Sequence, residues 1–170
     1  MSAAVGQDVG DLGNPSLTTM RRDEGAAIGS DGRIALVVED EAAIRQVLSR
    51  VLTRAGWRVL LADSAEAAWA LLTALGSAAD SQLSVVISDM VMPGMDGYAL
   101  VRVVRRIRPG LPAILVSGYL DPLLARDLAA ENIAFLAKPY RVAAMRDLLS
   151  RVTTSAARTM PETTPDIAVR

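Results

Sequence analysis

Ile34-Ala35-Leu36-Val37-Val38 is an unbroken apolar run that stops at Glu39-Asp40-Glu41. Consecutive apolar residues without polar alternation mark a strand covered on both faces, so Arg33 to Glu39 reads as a fully buried strand. Three later runs stop in the same way. Leu83 to Ile87 ends at Ser88-Asp89, Ala113 to Val116 at Ser117, and Ala134 to Ala137 at Lys138. If these are neighbouring parallel strands, their carboxyl ends share one sheet edge, and that edge gathers three carboxylates, a hydroxyl and an ammonium.

Helical patterns fill the gaps. Ile44, Val47, Leu48, Val51, Leu52 and Ala55 recur at 3.6-residue spacing, and Gly56 supplies the stop. Trp57 to Ala62 reads as the second strand. Asp63, three residues before Glu66, resembles a capping box that opens a helix through about Leu75, with Gly76 to Gln82 as a polar turn. Met92-Pro93-Gly94-Met95-Asp96-Gly97 enforces a loop before a helix from Tyr98 to Ile107. Asp121-Pro122 supplies an N-cap and a first-turn proline for a helix to about Ala130, and Met145, Leu148, Leu149 and Val152 mark a last amphipathic helix. Five strands alternating with five helices predict an α/β fold: a doubly wound parallel sheet with helices on both faces. Ligands on such sheets bind at the carboxyl ends of the strands.

Composition limits the alternatives. The 170 residues, 51% hydrophobic, suit one compact domain with length left over for tails. Residues 33–153 are assigned to that domain, with 1–32 and 154–170 expected as flexible tails because they lack periodicity. A net charge of −1 favours neither nucleic acid nor an anionic membrane as partner. Cysteine is absent, which excludes disulfides and thiolate metal sites and fits a cytoplasmic setting. Histidine is absent as well, so this chain cannot carry its own phosphohistidine or a His-based general base. Met1 to Asp8 lacks a basic start and a long apolar stretch, so no signal peptide is expected, and no run approaches the roughly 18 apolar residues of a membrane span.

Three carboxylates within about 4 to 6 Å repel one another by a few kcal/mol per pair even at an effective dielectric near 20. A cation belongs there, and with phosphate chemistry in view the oxygen-rich set points to Mg²⁺. Asp40 and Asp89 are the candidate direct ligands, Glu39 acts through water, and a main-chain carbonyl just after Asp89 completes the set. Asp89 is the candidate phosphoacceptor, since its carboxylate can attack phosphorus in line while Mg²⁺ and Lys138 neutralise the equatorial oxygens. Lys138 is the only lysine among 18 basic residues, and it follows a buried strand and precedes Pro139, a candidate for a cis bond. Ser117 could donate its hydroxyl to a phosphoryl oxygen. Each residue also has a plainer use: Glu39 to Glu41 as helix caps, Asp89 as a turn former, and Ser117 as the cap of a strand end.

The ordered set Val37-Val38-Glu39-Asp40-Glu41, Ser88-Asp89-Met90-Val91-Met92-Pro93-Gly94-Met95-Asp96-Gly97, Val116-Ser117-Gly118-Tyr119 and Lys138-Pro139 resembles the receiver domain of two-component response regulators. The likeness spans about Arg33 to Val152. It implies a flavodoxin-like sheet of order 2-1-3-4-5 that takes a phosphoryl group from a partner's phosphohistidine onto Asp89. It further implies that Asp40, Asp89 and the carbonyl of Val91 hold Mg²⁺, with Glu39 in support, Ser117 as sensor and Lys138 as counter-ion. Such a domain is a phosphoacceptor that promotes its own phosphorylation and dephosphorylation, not an enzyme acting on a separate substrate. Phe135 matches a switch aromatic, with plain core filling as the alternative. Val91 and Tyr119 occupy the positions that flank the phosphoryl group, and the apolar valine beside a bulky tyrosine implies slow self-dephosphorylation. The implied partners are a histidine kinase or histidine phosphotransfer protein and a downstream protein target. A homodimer through the fourth and fifth helices stays open, as do a phosphorylation-independent interaction module and a receiver excised from a hybrid histidine kinase. Other strand-end chemistries fit poorly. A dehalogenase-type phosphatase wants a second acid where Val91 stands, and a flavodoxin wants a hydroxyl- and glycine-rich loop where Glu39-Asp40-Glu41 stands. No Gly-x-x-x-x-Gly-Lys loop is present.

Overall fold

A computed structural model describes residues 32–80 and 82–159. The strands are β1 (Ile34–Val38), β2 (Arg58–Ala62), β3 (Leu83–Asp89), β4 (Ala113–Ser117) and β5 (Ala134–Ala137), and the helices are α1 (Ala42–Arg54), α2 (Ala65–Asp80), α3 (Gly97–Ile107), α4 (Pro122–Ala130) and α5 (Val142–Thr159). All neighbouring strands pair in parallel, in the order β2-β1-β3-β4-β5. This is the doubly wound sheet expected from the four runs.

Side chains alternate across a strand, so an unbroken apolar run must feed two cores. Ile34, Leu36 and Val38 pack on one face with Leu72 of α2, Leu100 and Val104 of α3 and Leu128 of α4. Ala35 and Val37 pack on the other with Leu48 and Leu52 of α1 and Met145 and Leu149 of α5. The parity carries to the strand ends. Glu39 and Asp89 continue the α1/α5 rows of β1 and β3, and Lys138 continues that row of β5, while Ser117 has the parity of Ala113 and Leu115 on the α2/α3/α4 face.

Helix ends explain several boundaries. Gly56, at φ 86°, closes α1 with hydrogen bonds from Gly56 N to Thr53 O and from Trp57 N to Leu52 O, the paired pattern of a left-handed cap. Asn132, at φ 53°, closes α4 in the same way through Asn132 N to Ala129 O and Ile133 N to Leu128 O, a stop the sequence pattern did not flag. The capping box at Asp63 is displaced by one residue: Ser64 Oγ accepts from Ala67 N at 3.2 Å, and Glu66 turns away to the loop after β3. α2 breaks at Gly76 as expected, but helical turns resume to Asp80 where a polar turn was predicted. α5 runs to Thr159, past the boundary set at 153, because its small and polar residues after Val152 are compatible with helix although they carry no amphipathic signal. The expected tails otherwise fall on 1–31 and 160–170, outside the described residues. No helix among the described residues is long and apolar enough to cross a membrane.

Candidate functional site

β1 and β3 are adjacent, so the residues that follow their last apolar positions emerge side by side. Carboxylate oxygens of Glu39, Asp40 and Asp89 lie within 4.8 Å of one another. Lys138, delivered by the edge strand β5, reaches across to them. Its Nζ donates to Asp89 Oδ2 at 2.5 Å and to Glu39 Oε2 at 3.1 Å. The Lys138 backbone is registered by its N–H to the Ser117 carbonyl at 2.8 Å, and the Lys138–Pro139 peptide is cis.

Burial differs sharply within the cluster. Glu39 is almost fully enclosed, Asp89 is largely so, and Asp40 is exposed. Burial raises the Glu39 pKa above its ordinary 4.5, and the nearby Asp89 charge adds to the rise, while the hydrogen bond and charge of Lys138 pull against it. Lys138 feels the converse balance: burial pulls its pKa down, but the hydrogen bonds to Asp89 and Glu39 outweigh that and leave it raised. It therefore stays an ammonium at neutral pH. One positive charge faces three carboxylates, an excess of negative charge that a hard divalent cation would balance.

Asp89 is held from several sides. Its Oδ1 accepts from Val91 N at 3.0 Å, its carbonyl accepts from Ser88 Oγ at 2.8 Å, and Met90 N donates to Val116 O at 2.8 Å. Gly97 N closes the loop onto Met90 O, and a Cβ at Gly97 would collide with the Asp89 carbonyl, so only glycine fits. Glu66 of α2 braces the same loop through Met95 N at 3.2 Å.

Ser117 is buried at the end of β4, its Oγ accepting from Tyr119 N at 3.4 Å. Phe135, half-buried, packs on the α2/α3/α4 face. Val91 and Tyr119, two residues beyond Asp89 and Ser117 respectively, are 71% and 73% exposed. Of the plainer readings, helix capping fails for Glu41, which occupies the N-cap of α1 without a side-chain cap hydrogen bond. Sequence reasoning gave Arg45 no role and did not foresee the bonds of Ser88 and Glu66: Ser88 Oγ and Arg45 Nη1 bond main-chain carbonyls close in sequence, and Glu66 reaches Met95 N across the fold, none of which leaves a periodic trace. Beside Lys138, an apolar groove of about 560 Å³ runs between Ile44, Val47 and Val51 of α1 and Val142 and Met145 of α5.

The family model for the response regulator receiver domain matches residues 35–150. The chain belongs to this family. Over 117 residues this receiver is 38% identical to the response regulator protein FleR of Pseudomonas aeruginosa, covering 68% of this chain and 24% of FleR. It is 39% identical over 112 residues to the sensor kinase CckA of Brucella abortus, covering 65% of this chain and 11% of that kinase. The receiver thus spans a quarter or less of these two relatives. Among solved structures, the chemotaxis protein CheY4 of Vibrio cholerae aligns with a TM-score of 0.61 at 28% identity, covering 71% of this chain and 98% of CheY4. The receiver domain of the hybrid histidine kinase CckA aligns at 0.57 and 29% identity, covering 71% and 98%. The five-stranded order 2-1-3-4-5 is that of these receiver folds.

Proposed function

We propose that this receiver accepts a phosphoryl group on Asp89 from a phosphohistidine of a histidine kinase or phosphotransfer protein. The observation that carries the reading is the Lys138 ammonium bridging Asp89 and Glu39, with the exposed Asp40 completing a carboxylate trio. An all-oxygen donor set of this charge fits Mg²⁺. Asp40, Asp89 and the Val91 carbonyl would hold the ion, and Glu39 would support it through water. When bound, Mg²⁺ neutralises charge developing on the transferred oxygens.

A carboxylate oxygen of Asp89 attacks phosphorus in line and forms an acyl phosphate. The P–N bond breaks, and the donor imidazole leaves with its electron pair and is protonated from solvent. The fixed loop around Asp89 supplies orientation, which accounts for much of the catalysis in phosphoryl transfer. Lys138 remains charged and passes from the carboxylate to a phosphoryl oxygen. The Ser117 hydroxyl donates to another, drawing the β4–α4 connection toward the site and altering the surface offered to a downstream protein.

The groove beside Lys138 supports a seat for the donor protein, because a helix resting there brings its phosphohistidine to the strand ends. Relatives of both kinds, a response regulator and a sensor kinase, leave two contexts for the domain, and phosphoryl acceptance is common to both. Incubation with Mg²⁺ and a small phosphodonor, followed by mass mapping, tests the reading. One phosphoryl group on Asp89, absent in Asp89→Asn, is expected; equal labelling of Asp89→Asn overturns it. Val47→Asp is expected to slow transfer from a kinase while leaving transfer from the small donor unchanged.

A further inference from the structure

β1 ends its pairing at Val38, and the first carbonyl drawn into α1 is that of Glu41, which accepts from Arg45 N at 3.0 Å. The carbonyls of Glu39 and Asp40 fall between these two ladders. A buried carbonyl needs a donor, and Glu39 is buried. Arg45 supplies it from one turn into α1: its Nη1 donates to Glu39 O at 2.6 Å and to Asp40 O at 3.2 Å.

The pairing has a geometric consequence. Two successive carbonyls held on one nitrogen fix the two peptide planes on either side of Asp40. The planes set the direction in which the Asp40 side chain leaves the main chain, and with Glu39 N donating to Ala62 O at 3.2 Å the Glu39 side chain is set as well. Lys138 sits on the carboxylates themselves, whereas these Arg45 bonds go to the main chain and leave the carboxylate oxygens free for a cation. A guanidinium suits the task because it is planar, weakly hydrated and charged at any working pH.

We propose that Arg45 is a positioning residue that sets the acidic loop for Mg²⁺, an inference resting on the function proposed above. Groups that orient metal ligands typically change affinity by about tenfold or more when removed.

The test is Mg²⁺ titration by calorimetry of the full chain, with melting temperature recorded for each protein. Arg45→Met is expected to bind Mg²⁺ about tenfold more weakly. Arg45→Lys, which keeps a donor of similar reach, is expected to recover part of that loss, and amide exchange at Asp40 and Glu41 should quicken in metal-free Arg45→Met. Mg²⁺ affinity in Arg45→Met within about twofold of wild type overturns the inference, as does an Arg45→Lys variant that folds yet recovers nothing. Wild-type protein that binds no Mg²⁺ would remove the proposed function itself, whereas wild-type binding matched by Arg45→Met removes only this role of Arg45.

Discussion

Two loops flank Asp89, and they are built in opposite ways. The β3–α3 loop, residues 90–96, has Met90 and Met92 buried, is tied to β4 through Met90, to α2 through Glu66 and to its own helix through the Asp96 cap, and presses on Gly97 with no space to spare. The β4–α4 loop, residues 118–121, is held by Tyr119 N to Ser117 Oγ and by the Asp121 cap, and a Cβ at Gly118 would meet nothing within 4 Å. α4 beyond it buries only Leu128. Under the function proposed above, the acceptor Asp89 must be fixed for in-line attack, while Ser117 must be able to move once the phosphoryl group arrives. The firm loop follows Asp89 and the loose one follows Ser117.

The contrast breaks most directly at its two glycines. Gly97→Ala forces a methyl group into the Asp89 carbonyl, which cannot yield without moving β3, and to 2.7 Å from Ser88 Oγ. Overpacking of this kind is expected to cost about 3 kcal/mol in urea denaturation. Gly118→Ala meets nothing within 4 Å and is expected to be neutral or stabilising by a few tenths of a kcal/mol. Equal losses at the two sites would erase the distinction.

Charge also holds the firm side. Lys138→Met leaves the enclosed Glu39 and Asp89 carboxylates without their cation. Because a quarter of Lys138 is exposed and water partly substitutes, the expected loss in metal-free buffer is about 2 kcal/mol, below that of a fully buried pair. Added Mg²⁺ should return part of it. A Lys138→Met protein as stable as wild type in chelator would show that packing alone fixes the site.

The fold was legible because runs such as Ile34–Val38 and Val85–Ile87 are apolar at both parities, which only a sheet covered on two faces requires. The acidic trio and Lys138 were legible for a related reason: strand ends are punctuated by chemistry that a buried strand cannot hold. Other features left no such trace. Ser64 and Asp63 are equally good caps on paper, and the choice between them depends on where the chain leaves β2. Arg45 reads as one more helix arginine until the loop folds back over it. The resemblance placed Val91 and Tyr119 at the site's mouth; their outward exposure belongs to the assembled loops.

The next effect is kinetic. Val91 stands on the firm loop with no group that could orient a hydrolytic water, so Val91→Asn is expected to shorten the lifetime of phospho-Asp89 about fivefold, on the order of 1 kcal/mol in barrier. Tyr119 has similar exposure but rides the movable loop, and Tyr119→Ala is expected to change the lifetime less. Dephosphorylation followed by intact mass after removal of the phosphodonor distinguishes the two. A lifetime unchanged in Val91→Asn would mean that Val91 does not control water.

The smallest expected effect is the pH dependence that Glu39 imposes on the metal-free protein. Burial, only partly offset by Lys138, raises its folded-state pKa above 4.5, so the folded chain holds the Glu39 proton more tightly than the unfolded chain does. Stability from this group therefore falls as pH rises from about 4.5 through the raised value, and returns as pH falls. Glu39→Gln cannot titrate. The stability of Glu39→Gln relative to wild type, from chemical denaturation in chelator, should grow between pH 4 and pH 7. Mg²⁺ favours the carboxylate and should reverse the slope. A relative stability that shrinks over the same window without metal would mean that Lys138 outweighs burial, and that the firm side of the site is held by its ion pair more than by its enclosure.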